Sequence, residues 1–181
     1  MDHLYEKTTK TKDIYKGKII DLHLEEVELP NGKMSSREVV KHPGAVAIIP
    51  ITETGELVLV RQYRKALDKV IIEIPAGKLE PGEDPLESAK RELEEETGYK
   101  SEKLDFIVSF YTSPGFANEL IYMYVTDTLI KGVSHTDEDE FLDVLEVSLD
   151  EALEMVKDQR IHDAKTAYAI QYLQLRELGK A

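Results

Sequence analysis

Apolar and polar residues alternate in part over two stretches near the start of the chain, residues 18–27 and 33–40. Alternation with a period of two is typical of strands that bury one face. The turn sequence Pro30-Asn31-Gly32 lies between the two stretches. The pattern therefore predicts a β-hairpin ahead of the main body of the chain.

A short break at His42-Pro43-Gly44 follows the predicted hairpin. We expect it to divide the chain into an N-terminal β extension, residues 1–42, and a larger domain, residues 43–181. Because the break is too short to act as a flexible linker, the extension should pack against the larger domain or against a partner subunit.

Short apolar runs separated by turn residues alternate with helical patterns in the larger domain. The predicted strands occupy residues 45–51, 57–63, 70–74, 104–111, 119–126 and 141–147. The predicted helices occupy residues 85–97, 148–158 and 164–178. This order indicates an α+β fold or a mixed-sheet sandwich, and not a strict βαβ series.

The first predicted helix has signals at both ends and an acidic face. Asp84 is a preferred N-cap, Pro85 suits the first helical position, and Gly98 is typical just past the end. At about 100° per residue, three glutamates group beside an apolar stripe. The stripe consists of Leu86, Ala89 and Leu93, and the acidic face consists of Glu92, Glu95 and Glu96.

Ion pairs are also expected on the remaining surface of this helix. Glu87 and Arg91 are four residues apart, as are Lys90 and Glu94. Opposite charges at this spacing are neighbours on a helix and support it.

The acidic face differs from an ordinary solvated surface in two respects. It borders the predicted core, where carboxylates are costly unless something neutralises them. It also follows a loop rich in glycine and proline, residues 75–83, whose backbone can approach a ligand closely. Oxygen ligands suit magnesium or manganese better than zinc, so the pattern predicts a divalent-cation site.

Composition and charge narrow the function classes. The 181 residues are 41% hydrophobic and 33% charged, and 23 basic against 36 acidic residues leave a net charge of −13. Such a field repels nucleic acid and anionic lipid, so neither is an expected partner. The absence of cysteine excludes disulfides, thiol nucleophiles and cysteine-bound metals, and it fits a reducing cytoplasm.

Two further observations bear on localisation. The start Met1-Asp2-His3-Leu4 lacks the form of a signal peptide. The longest apolar run, residues 45–51, is too short to span a bilayer. We therefore expect a cytoplasmic protein without membrane contact.

Seven identities at fixed spacing connect the glycine-rich loop with the first helix. They are Gly77, Glu83, Arg91, Glu92, Glu95, Glu96 and Gly98. With Leu93 and Tyr99 in the apolar positions, they resemble the Nudix box of the Nudix hydrolase family. The resemblance implies a Nudix fold, an α/β/α sandwich around a mixed sheet. It also implies hydrolysis of a nucleoside diphosphate linked to another moiety.

The same resemblance implies roles for the residues of the box. The metal ligands would be the side chains of Glu92, Glu95 and Glu96 and the backbone carbonyl of Ala76. They would bind two or three Mg²⁺ ions, or Mn²⁺ in their place. Structural support of the box would come from Gly77, Glu83, Arg91 and Gly98, with Arg91 orienting Glu83.

Features outside the box resemble the ADP-ribose pyrophosphatase subgroup of this family. They are Pro114, which follows Gly98 by sixteen residues, and the runs at residues 58–64 and 73–77. With the N-terminal extension, the resemblance covers nearly the whole chain. It implies a homodimer in which the extensions are exchanged and the dimer builds each active site.

Candidate substrate-binding residues follow from the subgroup. The position of Arg64 contacts the pyrophosphate in relatives, and a planar guanidinium suits paired phosphates. Glu119 matches a residue near the terminal ribose. The positions that enclose the adenine correspond here to Ile19 and Arg37, with Glu38 adjacent, and Arg37 can stack on a base.

The catalytic base is expected in an acidic loop, residues 137–140, just before the last predicted strand. In relatives this loop carries the catalytic glutamate, and Glu138 and Glu140 both match it. We favour Glu138 as the base, within reach of the attacking water, and Glu140 as a metal-linked residue, with the reverse assignment open.

The reaction that the resemblance implies is metal-dependent hydrolysis of ADP-ribose to AMP and ribose 5-phosphate. A nucleotide-sugar pyrophosphatase acting on a substrate such as GDP-mannose is the main alternative. A Nudix domain that has lost catalysis and senses a ligand is a further alternative, and the intact glutamates of the box argue against it.

Overall fold

The chain forms two compact units in a computed structural model that describes residues 3–132 and 141–180. The units comprise Met1–Ala45 with Ser109–Ile121, and Val46–Val108 with Tyr122–Ala181. The chain therefore returns to the first unit after it has built part of the second.

The start of the first unit is a three-stranded antiparallel sheet. Its strands, in spatial order, are β1 (Lys7–Lys16), β2 (Asp21–Glu28) and β3 (Met34–Lys41). The hairpin predicted from the sequence is formed by β2 and β3, and Gly32 in its turn has a φ of 78°, a conformation that favours glycine. The first strand was not predicted as a separate element, because every residue of β1 is exposed and its sequence shows no apolar alternation.

The remaining strands form three further sheets. In chain order they are β4 (Ala45–Pro50), β5 (Leu57–Arg64), β6 (Lys69–Glu73), β7 (Ala76–Lys78), β8 (Tyr99–Lys100), β9 (Asp105–Tyr111), β10 (Leu120–Thr126), β11 (Ile130–Lys131) and β12 (Leu142–Val147). The sheet orders are β7-β4-β10-β9, β12-β5-β6 and β11-β8. Every residue of β4 is buried, which explains why its sequence is a continuous apolar run.

Three helices complete the second unit: α1 (Pro85–Thr97), α2 (Leu149–Lys157) and α3 (Ala164–Glu177). Each lies within a residue or two of its predicted range. The Ser148 side chain caps α2 by accepting the N–H of Glu151 at 3.2 Å, as the capping-box spacing predicts. No helix in the described part of the chain is long and apolar enough to cross a membrane.

The core beneath α1 holds the acidic face in place. The cluster of buried residues comprises Val46, Ile48, Ala89, Leu93, Leu104 and Tyr124, with Leu86 packed partly buried against it. Full burial of a side chain such as Leu93 contributes about 1.5–3 kcal/mol. Because α1 buries its predicted apolar stripe, the neighbouring glutamates lie at the edge of the core.

Candidate active site

The helix α1 begins and ends where local chemistry dictates. The Asp84 side chain accepts hydrogen bonds from the N–H groups of Leu86 at 2.9 Å and Glu87 at 3.4 Å. Pro85 follows this N-cap, and Gly98 ends the helix with a left-handed φ of 72°. With both ends fixed, the position of each acidic side chain along α1 follows from the sequence.

Gly77 leaves room for the carboxylate of Glu92. A Cβ atom added to Gly77 in β7 would lie 1.9 Å from the Glu92 Cδ and 2.1 Å from each of its carboxylate oxygens. These separations are far inside van der Waals contact, so the missing side chain creates the space in which this carboxylate lies. The close approach of Glu92 therefore explains why this position of the box is a glycine.

Glu96 is a buried carboxylate at the end of the acidic face. It is 3% exposed, and its Oε2 accepts a hydrogen bond from the backbone N–H of Ala76 at 3.0 Å. Ala76 thus contacts the acidic face through its amide, and the role predicted for its carbonyl stays a prediction.

Arg91 joins the loop to the acidic face. Its Nε and Nη2 donate to the two carboxylate oxygens of Glu83, both at 3.0 Å. Its Nη1 donates to Glu92 and to Glu95, both at 2.8 Å. One cation therefore faces three carboxylates, and two of these share a single nitrogen.

The ion pairs predicted on α1 from helical spacing, Glu87–Arg91 and Lys90–Glu94, are wrong. Arg91 donates to Glu83 and the acidic face, and Lys90 pairs with Glu87 at 2.9 Å. The physical reason is that Glu83 offers the planar guanidinium two parallel bonds in a partly buried site, whereas an exposed pair at helical spacing contributes little.

The pKa of Glu83 is lowered from 4.5 to about 2, chiefly because Arg91 donates hydrogen bonds to its charged form. Burial opposes this shift, while the backbone N–H of Glu80 and the Ser88 hydroxyl add to it. The same contacts raise the pKa of Arg91, with the hydrogen bond to Glu83 as the largest cause. Both groups therefore stay charged throughout the neutral range.

We expect Glu83→Gln to lower the free energy of unfolding by about 1–3 kcal/mol at neutral pH, because it removes a charged acceptor from Arg91. A lowered pKa in the folded state means that Glu83 stabilises the fold fully above pH 4.5, and that this stabilisation is lost as the pH falls towards 2. Urea unfolding of wild type and variant should therefore give a difference that shrinks over this range.

Glu87→Gln is the control for the Glu83 prediction. Its side chain is 62% exposed and pairs only with Lys90 among the described residues. Its free energy of unfolding should differ from that of wild type by less than about 0.5 kcal/mol. A Glu83→Gln difference that stays constant from neutral pH to pH 2 would contradict the assignment of its pKa.

Arg64, the predicted pyrophosphate contact, is the last residue of β5. Its Nε donates to Oε1 of Glu73 at 2.5 Å, and its side chain is 40% exposed. Burial acts to lower the pKa of Arg64, but the hydrogen bond to Glu73 and the charges of Glu73, Glu96 and Asp163 outweigh it, so that the pKa is raised. The effect of Glu96 puts Arg64 within electrostatic range of the acidic face of α1.

Two residues behind Arg64 were not predicted. Glu73 is 2% exposed and accepts a hydrogen bond from Lys165 as well as from Arg64. The available sequence signal for Glu73 was its charge, which interrupts an otherwise apolar run at residues 70–74. The contact of Lys165 with Glu73 had no local signal, because the two residues lie 92 positions apart in the chain.

Arg37 and Glu38 are consecutive residues of β3 in the first unit. Because alternate residues of a strand point to opposite faces, one face of β3 presents only one of them. Arg37 donates through Nε and Nη2 to Glu6 at 2.9 and 2.6 Å, and through Nη1 to the Ser35 hydroxyl at 2.9 Å. The edge of this guanidinium is therefore occupied, and its flat face is the part suited to stacking on a base.

Glu119 lies in the first unit, just before β10. Its Oε2 accepts a hydrogen bond from the Thr112 hydroxyl at 2.5 Å, and its Oε1 is 3.6 Å from the His42 Nε2. The neighbouring Asn118 side chain accepts the backbone N–H of His42 at 2.7 Å. These contacts hold the carboxylate in place, and its contact with a ribose stays a prediction.

Glu138 and Glu140, predicted to supply the catalytic base and a metal-linked residue, lie outside the residues that the structure describes. The described chain stops at Gly132 and resumes at Phe141. Their roles stay predictions.

The donor set of the acidic face fits a hard divalent cation. It offers only oxygen atoms, from Glu92, Glu95 and Glu96, and Gly77 holds one of these carboxylates close to the backbone. Within the described ranges, no three acidic or histidine side chains converge into a complete metal site. Instead, the Arg91 guanidinium supplies positive charge to Glu92 and Glu95.

Comparison with known families assigns this loop–helix unit to a class. The NUDIX domain family matches residues 41–169, which include the loop and the whole of α1. The chain therefore belongs to the Nudix hydrolase family, as the motif predicted. A second family, described as the nucleoside diphosphate sugar hydrolase N-terminal domain, matches residues 6–40.

A solved structure confirms the fold. The crystal structure of an ADP compounds hydrolase superposes with a TM-score of 0.84, covers 97% of each chain, and is 22% identical in sequence. The predicted Nudix-type α+β fold is therefore confirmed.

The alignments with curated relatives cover most of this chain, and two of them cover nearly all of it. An ADP-ribose pyrophosphatase of Bacillus subtilis (strain 168) is 55% identical and covers 100% of this chain and 99% of its own length. A methanol dehydrogenase activator of Bacillus methanolicus is 56% identical, over 97% of this chain and 96% of its own length. A GDP-mannose pyrophosphatase of Cronobacter sakazakii is 36% identical, over 77% and 81% respectively.

Proposed function

We propose that the protein hydrolyses the diphosphate of ADP-ribose to AMP and ribose 5-phosphate. The observation that carries the proposal is the loop–helix unit, in which Arg91 holds Glu83, Glu92 and Glu95 together beside the buried Glu96. The full-length relative with 55% identity, an ADP-ribose pyrophosphatase, supports this choice of substrate.

The metal ligands in this proposal are Glu92, Glu95 and Glu96, together with the backbone carbonyl of Ala76. Their oxygen donors suit two or three Mg²⁺ ions, or Mn²⁺ in their place. When bound, such ions neutralise phosphate charge and lower the pKa of a bound water. Because the net charge of −13 repels an anionic substrate, such a substrate needs local positive charge, which these ions would supply.

Gly77→Ala tests the place of Glu92 in this set. The added methyl group would displace the Glu92 carboxylate, which is the flexible end of a side chain, so we expect a melting temperature close to that of wild type. Manganese affinity should fall about 10–100-fold, as when the support of a metal ligand is lost. Calorimetric titration with Mn²⁺ measures this affinity. Gly82→Ala is unsuitable as a control, because Gly82 has a φ of 81°, which an alanine rarely adopts.

Gly115→Ala is the matched control for that experiment. An added Cβ at Gly115 meets no described atom within 4 Å. Unchanged manganese affinity in Gly77→Ala, with a normal melting temperature, would remove Glu92 from the proposed ligand set.

The other residues of the site act on substrate and water. The terminal nitrogens of Arg64 bind the diphosphate oxygens, and Arg91 orients Glu83. Glu138, or alternatively Glu140, accepts a proton from the attacking water. The oxygen of this water bonds to phosphorus as the P–O bond to the leaving phosphate breaks.

Adenosine recognition belongs, in this proposal, to a homodimer with exchanged N-terminal extensions. Exposed apolar side chains in the three-stranded sheet support burial by a partner subunit; they include Ile14, Tyr15 and Met34. Arg37 and Glu38 belong to the base side of this site, where the flat face of Arg37 stacks on the base, and Glu119 contacts the terminal ribose. Light scattering of the full chain should give twice the monomer mass. We also propose that this dimer is cytoplasmic.

A substrate panel tests the reaction. ADP-ribose and GDP-mannose are supplied separately with Mg²⁺, and the products are identified by chromatography. We expect AMP and ribose 5-phosphate from ADP-ribose, with a higher kcat/KM than for GDP-mannose, and no reaction with EDTA. Preferential release of GMP from GDP-mannose would favour the nucleotide-sugar alternative, and no turnover of either would favour a ligand sensor.

A second candidate function rests on the relative from Bacillus methanolicus. At 56% identity over 97% of this chain, this methanol dehydrogenase activator is as similar as the ADP-ribose pyrophosphatase. Methanol oxidation by the dehydrogenase of that organism, measured with and without this protein, tests the activity. An increase that needs an intact Glu96 would link it to hydrolysis.

A further inference from the structure

A partly buried network of four charges includes Arg64, and the proposed reaction makes no use of its other three members. The network consists of Arg64, Glu73, Asp163 and Lys165. Glu73 is 2% exposed, and the Lys165 side chain is 10% exposed. Two cations balance two carboxylates, which offsets the cost of removing these charges from water.

Glu73 holds one edge of Arg64 and leaves the other available. Its Oε1 accepts the Arg64 Nε, and within the described part of the chain neither terminal nitrogen of Arg64 has a hydrogen-bond acceptor. The Arg64 side chain is 40% exposed, so these nitrogens can reach a ligand. A guanidinium fixed at Nε presents its terminal nitrogens in a set direction, which suits two phosphate oxygens.

Lys165 holds the second oxygen of Glu73. Lys165 donates to Oε2 of Glu73 and also to Asp163, the N-cap of α3, at 3.0 Å. Thr166 donates its hydroxyl to Asp163 at 2.7 Å and accepts the N–H of Ile74 at 2.9 Å. The first turn of α3 is thereby attached to Ile74, the residue after Glu73. The Glu73 carboxylate therefore cannot turn without losing its buried contact with Lys165.

We propose that Lys165 is a positioning residue for diphosphate binding: by holding Glu73 it sets the orientation of Arg64. Lys165 itself does not touch the substrate. The inference rests on the proposed function, because it requires that Arg64 contact a diphosphate. If Lys165 only joined α3 to β6, its loss would lower stability without acting through Arg64.

A double-mutant cycle separates these two roles. Arg64→Met, Lys165→Met and the double variant are compared by kcat/KM for ADP-ribose. We expect Lys165→Met to lower kcat/KM about 10–100-fold, as a misplaced binding group does. In the Arg64→Met background, Lys165→Met should change kcat/KM by less than about twofold, because the two residues act as one unit.

Two further variants complete the set. Lys165→Arg keeps the charge and should restore most of the kcat/KM that Lys165→Met loses. Lys157→Met makes the same change at a side chain that is 69% exposed and paired with Glu154, and it should leave kcat/KM unchanged. Losses that multiply in the double variant, or normal kcat/KM in Lys165→Met, would overturn the inference.

Binding of ADP in the presence of Ca²⁺ gives a readout without turnover. Calorimetry should show about tenfold weaker ADP binding in Arg64→Met and in Lys165→Met, with no further loss in the double variant. If wild type fails to hydrolyse ADP-ribose but this binding cycle stays non-additive, the proposed reaction is wrong and the positioning role holds. Additive losses of ADP affinity would overturn the positioning role whatever the substrate.

Discussion

Glu96→Gln is expected to lower the turnover of ADP-ribose by about 10³-fold while the protein stays folded. Glu96 is 3% exposed, and its Oε2 accepts the N–H of Ala76. The amide oxygen of glutamine can accept the same hydrogen bond, so the contact with the backbone survives. What is lost is the negative charge, which a divalent cation needs from its ligands.

Three measurements check the Glu96 prediction: kcat for ADP-ribose with saturating Mg²⁺, manganese affinity by calorimetry, and the melting temperature. Glu94→Gln is the matched control, because it lies on the same helix and its partner in the described structure is Lys100, at 2.7 Å. This control should keep a kcat within about twofold of wild type. Near-wild-type turnover in Glu96→Gln would show that the metal assignment is wrong.

Arg91→Lys is expected to reduce turnover by about 10²-fold, because the acidic face loses the geometry that the guanidinium imposes. Arg91 bonds both oxygens of Glu83 and also reaches Glu92 and Glu95. A lysine ammonium keeps the charge but cannot form this planar set of bonds. The free energy of unfolding should also fall, by about 1–3 kcal/mol.

Added Mg²⁺ should affect the stability of Arg91→Lys differently from that of wild type. Because the ammonium cannot bond all three carboxylates at once, one or more of them is left for a cation, and the variant should gain more thermal stability from added Mg²⁺ than wild type does. Arg176→Lys is the control: this arginine is 41% exposed and donates to Asp127 at 2.9 Å. Equal turnover in Arg91→Lys and wild type would mean that Arg91 does not organise the site.

Three cations of this acidic protein lie beside its less exposed carboxylates. The chain carries a net charge of −13, yet Arg64, Arg91 and Lys165 all lie beside carboxylates at or behind the site. In low dielectric such contacts are stronger than at the surface. These three cations therefore lie beside carboxylates that are partly or fully buried.

Much of the fold could be predicted because its signals are local. The ends of α1 follow from Asp84, Pro85 and Gly98, each of which acts within a turn of its own position. The hairpin of β2 and β3 follows from its alternation and from the glycine in its turn. The strand β1 was not predicted because an exposed polar strand has no apolar pattern to mark it, although it pairs with the next strand in the chain, β2.

The sequence by itself determined the loop–helix unit: which residues form α1, which glutamates share its face, and that Gly77 precedes them at a fixed spacing. Periodicity and end signals are sufficient for this because they act over a few residues. Only the tertiary structure decided that Arg91 bonds Glu83 and not Glu87, and that Lys165 holds Glu73. Those choices depend on packing that brings distant segments together, and on burial that makes a well-formed ion pair outweigh a helical neighbour.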